Sequence, residues 1–313
     1  MKFLVITVII IVIIVIFIYK KEKEYIYSPK NYNLIEKELS ELDKDYSFIP
    51  AIKGCDFVAG KNYLWDAALK FYGREKACHF LPNTWSLKPG LVFEKGMYIA
   101  KKNIQQQKGL LLLDSKDICV EDLISEDYVV IQEYLKNPFI INTFKINLRV
   151  YILIVVFPDN VKKLFIYNDG FIYYSKKAYT GLLDPDSAIT TGYIDRKVYE
   201  TCPLTHGDLK TFLKKENKDY NKLFQNTTDC IKAVVKSLSN SLSGPKGSTS
   251  YQIFGADIQP DINLNVKLIE INKNPDLSSK DFRDNELKTL LKKDIKETVF
   301  SGSCSTRFQQ FCL

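Results

Sequence analysis

The stretch at residues 130–154, VIQEYLKNPFIINTFKINLRVYILI, constrains the fold of this chain more than any other. It contains two runs with the length and composition of β-strands, joined by a turn-forming Asn-Pro pair. In the second run, Lys145, Asn147 and Arg149 alternate with apolar residues. Because successive side chains of a strand point to opposite faces, these three polar side chains share one face of a sheet. Alternation alone also fits an edge strand with an exposed basic face. Assigning a function to this face therefore requires evidence from a second stretch of the sequence.

The second stretch is FGADIQPDINLNVKLIEINKNPDLS at residues 254–278, which predicts a β-hairpin around the turn-prone QPDINLN. Glu270 and Asn272 are two residues apart and share a face, and Asp257 on the partner strand is expected across from them. Two carboxylates and an amide form an oxygen-only cluster that suits Mg²⁺ held against phosphates. A solvated hairpin face is the alternative. The cluster is favoured because ionisable residues between runs of Ile and Leu need partners when buried.

Composition limits the function classes. The 313 residues are 46% hydrophobic and 26% charged, which predicts one large multi-lobed unit or two domains. The net charge of +7 suits a nucleotide or an acidic partner, and no RNP-like, zinc-finger or helix-turn-helix signature indicates nucleic-acid binding. Seven scattered cysteines without a CxxC pair indicate neither a zinc site nor a complete disulfide framework, so reduced thiols in a cytosolic compartment are expected.

The amino terminus carries a nearly uninterrupted apolar run at residues 3–19. Its length is at the short end of what spans a bilayer as a helix, and no signal-peptidase-like site follows it. Lys20, Lys21 and Lys23 come next, so the positive-inside tendency predicts a single-pass membrane anchor with the folded domain in the cytoplasm. A lumenal orientation stays open, in which Asn226 would be a glycosylation acceptor.

Other segments predict the remaining elements. Residues 97–100 and 110–113 read as strands joined by the polar loop KKNIQQQKG, which could cover phosphates with Lys101 or Lys102 and a close approach at Gly109. A helix is predicted through LWDAALKFYG at residues 64–73. LFIYNDGFIYYS at residues 164–175 predicts a hairpin that turns at Asp-Gly, and residues 208–242 have a helical pattern.

Taken together, these stretches resemble the tubulin–tyrosine ligase-like family, a branch of the ATP-grasp enzymes. The resemblance runs over residues 84–277 and rests on YIAKKN…KGLLL, the central stretch, LFIYNDGFIYY and FGADI…LIEINKNPDLS. It implies an α/β (α+β) ATP-grasp fold with the nucleotide between a central and a C-terminal lobe. The expected division is an anchor at residues 1–20, a linker at 21–44, an N-terminal lobe at 45–96, a central lobe at 97–136, a C-terminal lobe at 137–300 and a tail at 301–313.

The resemblance also implies roles for individual residues. Lys101 is similar to the family lysine that reaches the nucleotide phosphates, and Lys145 to a second nucleotide-contacting lysine. Asn147 stands where the family usually has an aspartate near the ribose. The hinge around adenine corresponds to Gln132, Glu133, Tyr134 and Leu135. The metal-binding trio corresponds to Asp257, Glu270 and Asn272, and the catalytic residues to Lys145, Arg149 and Glu270.

Three departures lie on the flap and the acceptor side. The flap is one residue shorter than is usual and lacks the glycine-rich run. Tyr173 stands near the place of an arginine that commonly follows Asp-Gly, and residues 189–192 replace a His-Leu-Thr-Asn-like segment. These positions tend to govern the acceptor in the family, so the acceptor need not be tubulin.

The implied function is ATP- and Mg²⁺-dependent ligation of a free amino acid (glutamate, tyrosine or similar) to a protein carboxylate through an acyl phosphate. The partners would be the amino acid, an acidic acceptor protein with tubulin as a candidate, and a membrane through residues 3–19. One alternative is a membrane-tethered, nucleotide-binding pseudoenzyme that acts as a scaffold. A second is a lumenal glycosyltransferase, although no clear Asp-x-Asp motif is present.

Overall fold

The computed structural model describes residues 48–104, 109–300 and 304–313. The strands of this part are β1 (Phe48–Ile49), β2 (Thr84–Ser86), β3 (Met97–Lys101), β4 (Leu110–Asp114), β5 (Val130–Glu133), β6 (Ile140–Ile141), β7 (Phe144–Val156), β8 (Lys162–Ser175), β9 (Thr190–Thr191), β10 (Thr249–Pro260), β11 (Val266–Asn272) and β12 (Phe308–Cys312). The helices are α1 (Cys55–Ala59), α2 (Lys61–Tyr72), α3 (Arg74–Phe80), α4 (Val120–Ser125), α5 (Pro185–Ala188), α6 (Val198–Thr201), α7 (His206–Lys215), α8 (Tyr220–Leu238) and α9 (Phe282–Phe300).

These elements form a mixed α+β fold with two sheets. The larger sheet has the order β1-β10-β7-β8-β12, with β11 on β10, β6 on β7 and β9 on β8. The smaller sheet has the order β2-β5-β3-β4. Helix α8 packs its apolar face against α2 and β11, and a continuous hydrophobic core joins these helices to the larger sheet. The smaller sheet has a separate, small core around Tyr98, Ala100 and Ile131.

Strand β7 is the centre of the larger sheet. It pairs antiparallel with β10 on one side and with β8 on the other. Its apolar residues from Ile146 onward are buried, and the run at residues 150–156 is buried without interruption. A continuous apolar run is typical of a strand that is covered on both faces. The alternative of an edge strand with an exposed basic face is therefore wrong, because Lys145 and Asn147 are buried inside the molecule.

The prediction that the chain turns at Asp169-Gly170 to form a hairpin is wrong. Strand β8 continues through this pair, and the register of its pairing with β7 shifts between Val150 and Ile152. A Cβ atom at Gly170 would overlap the carbonyl oxygen of Arg149. The glycine therefore permits a close approach of two backbones at an irregularity in the sheet, which is the other common use of glycine in a strand.

Both helix predictions are confirmed. The helix predicted at residues 64–73 is α2, which ends at Tyr72 and is followed by Gly73 at a φ of 74°. The helical pattern at residues 208–242 corresponds to two helices, α7 and α8. Asn217 adopts a φ of 53° after α7, and the side chain of Asp219 then accepts hydrogen bonds from backbone amides at the start of α8.

The predicted membrane localisation is corrected. Within residues 48–104, 109–300 and 304–313, no helix combines the length and the apolar character that crossing a bilayer requires. The two longest described helices, α8 and α9, carry lysines and acidic residues along their length. The apolar run at residues 3–19, on which the prediction rested, lies outside the described residues.

Candidate active site

A cavity between the two sheets brings together residues that are far apart in the sequence. Strands β3 and β5 of the smaller sheet form one wall, and β7, β10 and β11 of the larger sheet form the other. Nine of the residues singled out from the sequence line it: Lys101, Gln132, Glu133, Tyr134, Leu135, Lys145, Asn147, Asp257 and Glu270. Arg149 and Asn272 line an adjoining cleft, and the two spaces share Thr190, Asp257 and Glu270.

Lys101 ends β3 and points into the cavity, where its side chain is almost fully buried. Its Nζ donates to Oε1 of Gln132 at 2.7 Å, and the amide nitrogen of Gln132 donates to the Thr84 hydroxyl at 2.9 Å. Burial lowers the pKa of Lys101 to about 8, although the nearby carboxylates of Glu270 and Asp257 favour the charged form. A buried cation with one neutral partner is suited to an anionic ligand.

Lys145 lies on β7 and faces the same space. Its Nζ donates to the Ala188 carbonyl at 2.8 Å and lies 4.6 Å from the centre of the Tyr134 ring. Burial, together with the charge of Lys101, lowers the pKa of Lys145 to about 7. Two buried ammonium groups in one cavity create a local demand for negative charge, such as that of phosphates.

Asn147, two residues further along β7, has a polar atom without a partner. Its side chain is buried, and its Oδ1 accepts no hydrogen bond from any described residue. Buried amide oxygens are nearly always paired in folded proteins. The free acceptor therefore fits a ligand that brings a donor such as a hydroxyl group. The walls nearby include Ile99, Leu110 and Ile269, which suit a flat apolar ring.

The hairpin of β10 and β11 forms as the sequence predicts. Asp257 pairs directly with Glu270 across the two strands, and the loop at residues 261–265 closes with Leu264 at a φ of 65°. The Asn272 amide donates to Oδ2 of Asp257 at 3.3 Å and to Oε1 of Glu270 at 3.2 Å. The three side chains singled out as metal ligands thus converge at one point.

Arg149 is fixed on two sides. Its Nε and Nη2 donate to the two oxygens of Asp257 at 2.6 and 2.8 Å, and its guanidinium group lies 4.8 Å from the centre of the Tyr173 ring. Burial opposes the charge of Arg149, but the pairing with Asp257 outweighs burial and raises its pKa. Arg149 is therefore a permanent cation beside the carboxylates.

Lys61, which was not singled out from the sequence, also belongs to this site. It begins α2, and its Nζ lies 3.8 Å from Oε2 of Glu270 and donates to the Ile104 carbonyl at 3.0 Å. Its backbone amide donates to the Asn103 side chain in the loop between β3 and β4. Burial disfavours the ionised form of Glu270, but Lys61 and Lys101 outweigh it and lower the pKa of Glu270. No motif marks Lys61, because tertiary packing alone brings α2 to this point.

The donor set fits a hard cation. Asp257 and Glu270 supply carboxylate oxygens, and rotation of the Asn272 amide would present its Oδ1 to the same point. Lys61 and Arg149 balance the two acidic groups in this structure. Oxygen ligands of this kind are the ones that Mg²⁺ prefers over softer metals.

Comparisons with known proteins identify the family of this chain. A sequence profile described as the tubulin-tyrosine ligase family matches residues 28–307. Tubulin polyglutamylase TTLL6 of Mus musculus is 25% identical over 297 residues, which cover 84% of this chain and 35% of that protein. Tubulin polyglutamylase ttll-5 of Caenorhabditis elegans is 26% identical over 224 residues, or 64% and 30% of the two chains. A probable alpha-tubulin polyglutamylase, Ttll1 of Tetrahymena thermophila, is 28% identical over 234 residues, or 71% and 55%. The chain thus spans about a third to a half of the length of these relatives.

Proposed function

Because the chain belongs to the tubulin–tyrosine ligase family, we propose that it is an ATP-dependent ligase that joins a free amino acid to a carboxylate of an acceptor protein. The observation that carries this proposal is that one cavity holds charged side chains of both signs. Lys101 on the smaller sheet, and Lys145, Asp257 and Glu270 on the larger sheet, all line this cavity, and both lysines are buried. This arrangement suits a magnesium nucleotide, in which phosphates need cations and the metal needs oxygen ligands.

In this proposal the fold is of the ATP-grasp type, and the nucleotide lies between a central lobe at residues 97–136 and a C-terminal lobe at residues 137–300. Gln132, Glu133, Tyr134 and Leu135 would surround the adenine. Asn147 would accept a hydrogen bond from the ribose, which the partnerless Oδ1 atom supports. Lys101 and Lys145 would contact the phosphates, with Lys61 near their terminal end.

Asp257, Glu270 and Asn272 are the residues that would hold Mg²⁺. When bound, Mg²⁺ supplies positive charge that offsets the charge of the phosphate oxygens. The protein's own contribution would be a set of positioned cations, since Arg149 is already held between Asp257 and Tyr173 before any substrate binds. Such preorganised charge usually contributes more to the rate enhancement of an enzyme than any other single effect.

The proposed reaction has two steps that conserve atoms and charge. An oxygen of the acceptor carboxylate attacks the γ-phosphorus of ATP, the bond from that phosphorus to ADP breaks, and an acyl phosphate forms. The amine of the amino acid then attacks the acyl carbon, the carbon–oxygen bond to phosphate breaks, and the amine loses a proton. The products are ADP, phosphate and an amide. Arg149 lies in the cleft next to the carboxylates, where it would face the transferred group.

The names of the relatives suggest the first substrates to test. These relatives are called tubulin polyglutamylases, so glutamate is the first candidate donor and an acidic segment of tubulin the first candidate acceptor. The net charge of +7 agrees with an acidic acceptor. The altered residues Tyr173 and Thr191 on the acceptor side are the reason to test other acidic peptides as well.

The test is an incubation of the purified protein with ATP, Mg²⁺, single free amino acids and either tubulin or acidic peptides. Release of ADP and the mass of the acceptor are measured together. We expect ADP release that depends on one amino acid, with the mass of that residue, less water, added to the acceptor. Binding of ATP without turnover under every pairing would contradict the proposal and favour the scaffold alternative.

A further inference from the structure

The cleft beside the nucleotide cavity has more basic residues than the proposed function has yet used. It shares Thr190, Asp257 and Glu270 with that cavity, so it opens at the end where the carboxylates lie. Among the described residues, the four cations that line it are Arg149, Arg196, Lys280 and Lys288. If the proposed function holds, this cleft is where the amino acid and the acceptor meet the terminal phosphate, and the following inference rests on that function.

Three of the four cations are already matched with carboxylates of the protein. Arg149 makes a two-pronged pair with Asp257. Lys288 donates to Oδ2 of Asp284 at 2.9 Å and to the Ser278 carbonyl at 2.6 Å. Arg196 pairs with Asp281 and also stacks on Tyr199. Each of these three cations therefore already has a carboxylate partner within the protein.

Lys280 is different. Its Nζ donates to the Gly192 carbonyl at 3.0 Å and lies 4.2 Å from the centre of the Tyr193 ring. No carboxylate oxygen of the described residues lies within 4 Å of it, and the nearby Asp276 accepts hydrogen bonds from the backbone amide and hydroxyl of Ser278. Partial burial and then the charge of Lys288 lower the pKa of Lys280, whereas Asp276 and Asp284 favour its charged form. Lys280 is an exposed residue whose ammonium group is held by neutral groups and reaches the cleft without an ion-pair partner among the described residues.

The same glycine that holds Lys280 also shapes the facing wall. A Cβ atom at Gly192 would lie 2.9 Å from the ring of Tyr173. Tyr173 occupies a position where the sequence resemblance leads us to expect an arginine, and it stacks on Arg149. Tyrosine removes a cation from that wall, so among the described residues Lys280 is the cation of this cleft without a carboxylate partner of its own.

We propose that Lys280 binds the α-carboxylate of the free amino acid. The phosphates already have Lys101 and Lys145 in the adjoining cavity, which leaves the cleft to the other substrates. The attacking amine must be uncharged, whereas the α-carboxylate beside it stays ionised and needs a cation. A lysine held by a backbone carbonyl and an aromatic ring can bind that carboxylate and leave the amine free to face the acyl group.

The test compares Lys280→Gln with Lys280→Arg and with the control Lys292→Gln, which removes an exposed lysine on α9. For the amino acid that supports turnover, we expect Lys280→Gln to raise its KM about 10- to 100-fold, the range for a lost charged hydrogen bond. The KM for ATP should change less than twofold. Lys280→Arg should restore most of the affinity, and Lys292→Gln should match the wild type.

The α-carboxamide of the same amino acid gives a readout that a structural role would not change. The wild type should use the amide far less well than the acid, and Lys280→Gln should hardly distinguish the two. An unchanged KM in Lys280→Gln, or equal discrimination in both proteins, would overturn the inference. For a donor with two carboxylates, loss of discrimination only against the side-chain amide would assign Lys280 to the side chain and would also overturn it.

Failure of the proposed function can be told apart from failure of this inference. If the wild type releases no ADP with any amino acid, the ligase function fails. Calorimetric binding of the amino acid to the protein with Mg²⁺ and a non-hydrolysable ATP analogue then makes the same comparison between the wild type and Lys280→Gln. Equal binding by both, or no binding by the wild type, would overturn the role of Lys280.

Discussion

Single residues carry the strongest constraint on this site, because buried charges need partners. Lys101 and Lys145 are both nearly inaccessible, and each has a lowered pKa that an anion would raise again. Glu270 is held in its ionised form by Lys61 and Lys101. The cavity is thus lined by charged groups of both signs, which is a common arrangement for a ligand site and a rare one for a protein core.

The lowered pKa of Lys145 predicts that nucleotide affinity depends on pH. At pH 6.5 most of Lys145 is protonated, and at pH 8.5 most of it is neutral, because its pKa is about 7. Phosphates bind the protonated form, so binding takes up a proton and weakens as the pH rises. We expect the affinity for Mg·ATP to fall about tenfold between these pH values.

The matched control is Lys145→Arg, since arginine keeps its charge throughout this range. Calorimetry in buffers with different ionisation enthalpies measures the proton uptake directly. The wild type should take up protons on binding at pH 7.5, and the variant should take up fewer. A proton uptake that is the same in both proteins would show that Lys145 does not contact the phosphates.

Replacement of Glu270 separates catalysis from folding. Glu270→Gln keeps the size of the side chain but removes the charge that faces Lys61. We expect turnover to fall at least about a hundredfold, as when one preorganised electrostatic contact is lost, while the circular dichroism spectrum stays the same. Glu286→Gln, at an exposed position on α9, is the control and should keep full activity. Wild-type turnover in Glu270→Gln would rule out the metal assignment.

At the scale of helices and strands, the local sequence pattern predicted where strands form better than it predicted where a strand ends in a turn. The β10–β11 hairpin, with Asp257 opposite Glu270, follows from two apolar runs and a short turn, which are local features. The strand β8 does not turn at Asp-Gly, because it pairs with β7 on both sides of an irregularity at this dipeptide, and this pairing outweighs the turn preference of the dipeptide. The turn preference of a dipeptide is a weak local effect. If β8 ended at Asp-Gly, part of β7 would lose its neighbouring strand, and its backbone N–H and C=O groups would be left without hydrogen-bond partners.

Gly170 allows a test of this strand pairing. A methyl group there would overlap the carbonyl oxygen of Arg149 on the paired strand. Gly170→Ala should lower the free energy of unfolding by about 2–3 kcal/mol, as is typical of overpacking, and should reduce turnover because Arg149 shifts. Gly96→Ala is the control, since its Cβ would have ordinary contact with Tyr98 at 3.7 Å. Urea denaturation measures both, and equal stability of the two variants would contradict the close approach.

At the scale of the whole molecule, the sequence predicted which strand residues line the site, but it did not predict the lysines that a helix and a loop add to it. Lys145, Asn147, Asp257 and Glu270 were found because each lies on a strand with a regular alternation. Lys61 and Lys280 come from a helix start and a loop, where no periodicity marks a side chain as functional. Their positions depend on how α2 and the segment before α9 pack against the sheet, which is a property of the complete fold.

Transfer of labelled oxygen tests most directly whether the chain uses ATP to activate an acceptor carboxylate. An acceptor peptide with ¹⁸O in its carboxylates is incubated with the protein, ATP, Mg²⁺ and the amino acid that supports turnover, and the released phosphate is analysed by mass spectrometry. We expect one ¹⁸O atom in each phosphate, because the bond between the acyl carbon and that oxygen breaks in the second step. Phosphate without label, released alongside an amino-acid-modified acceptor, would contradict activation through an acyl phosphate.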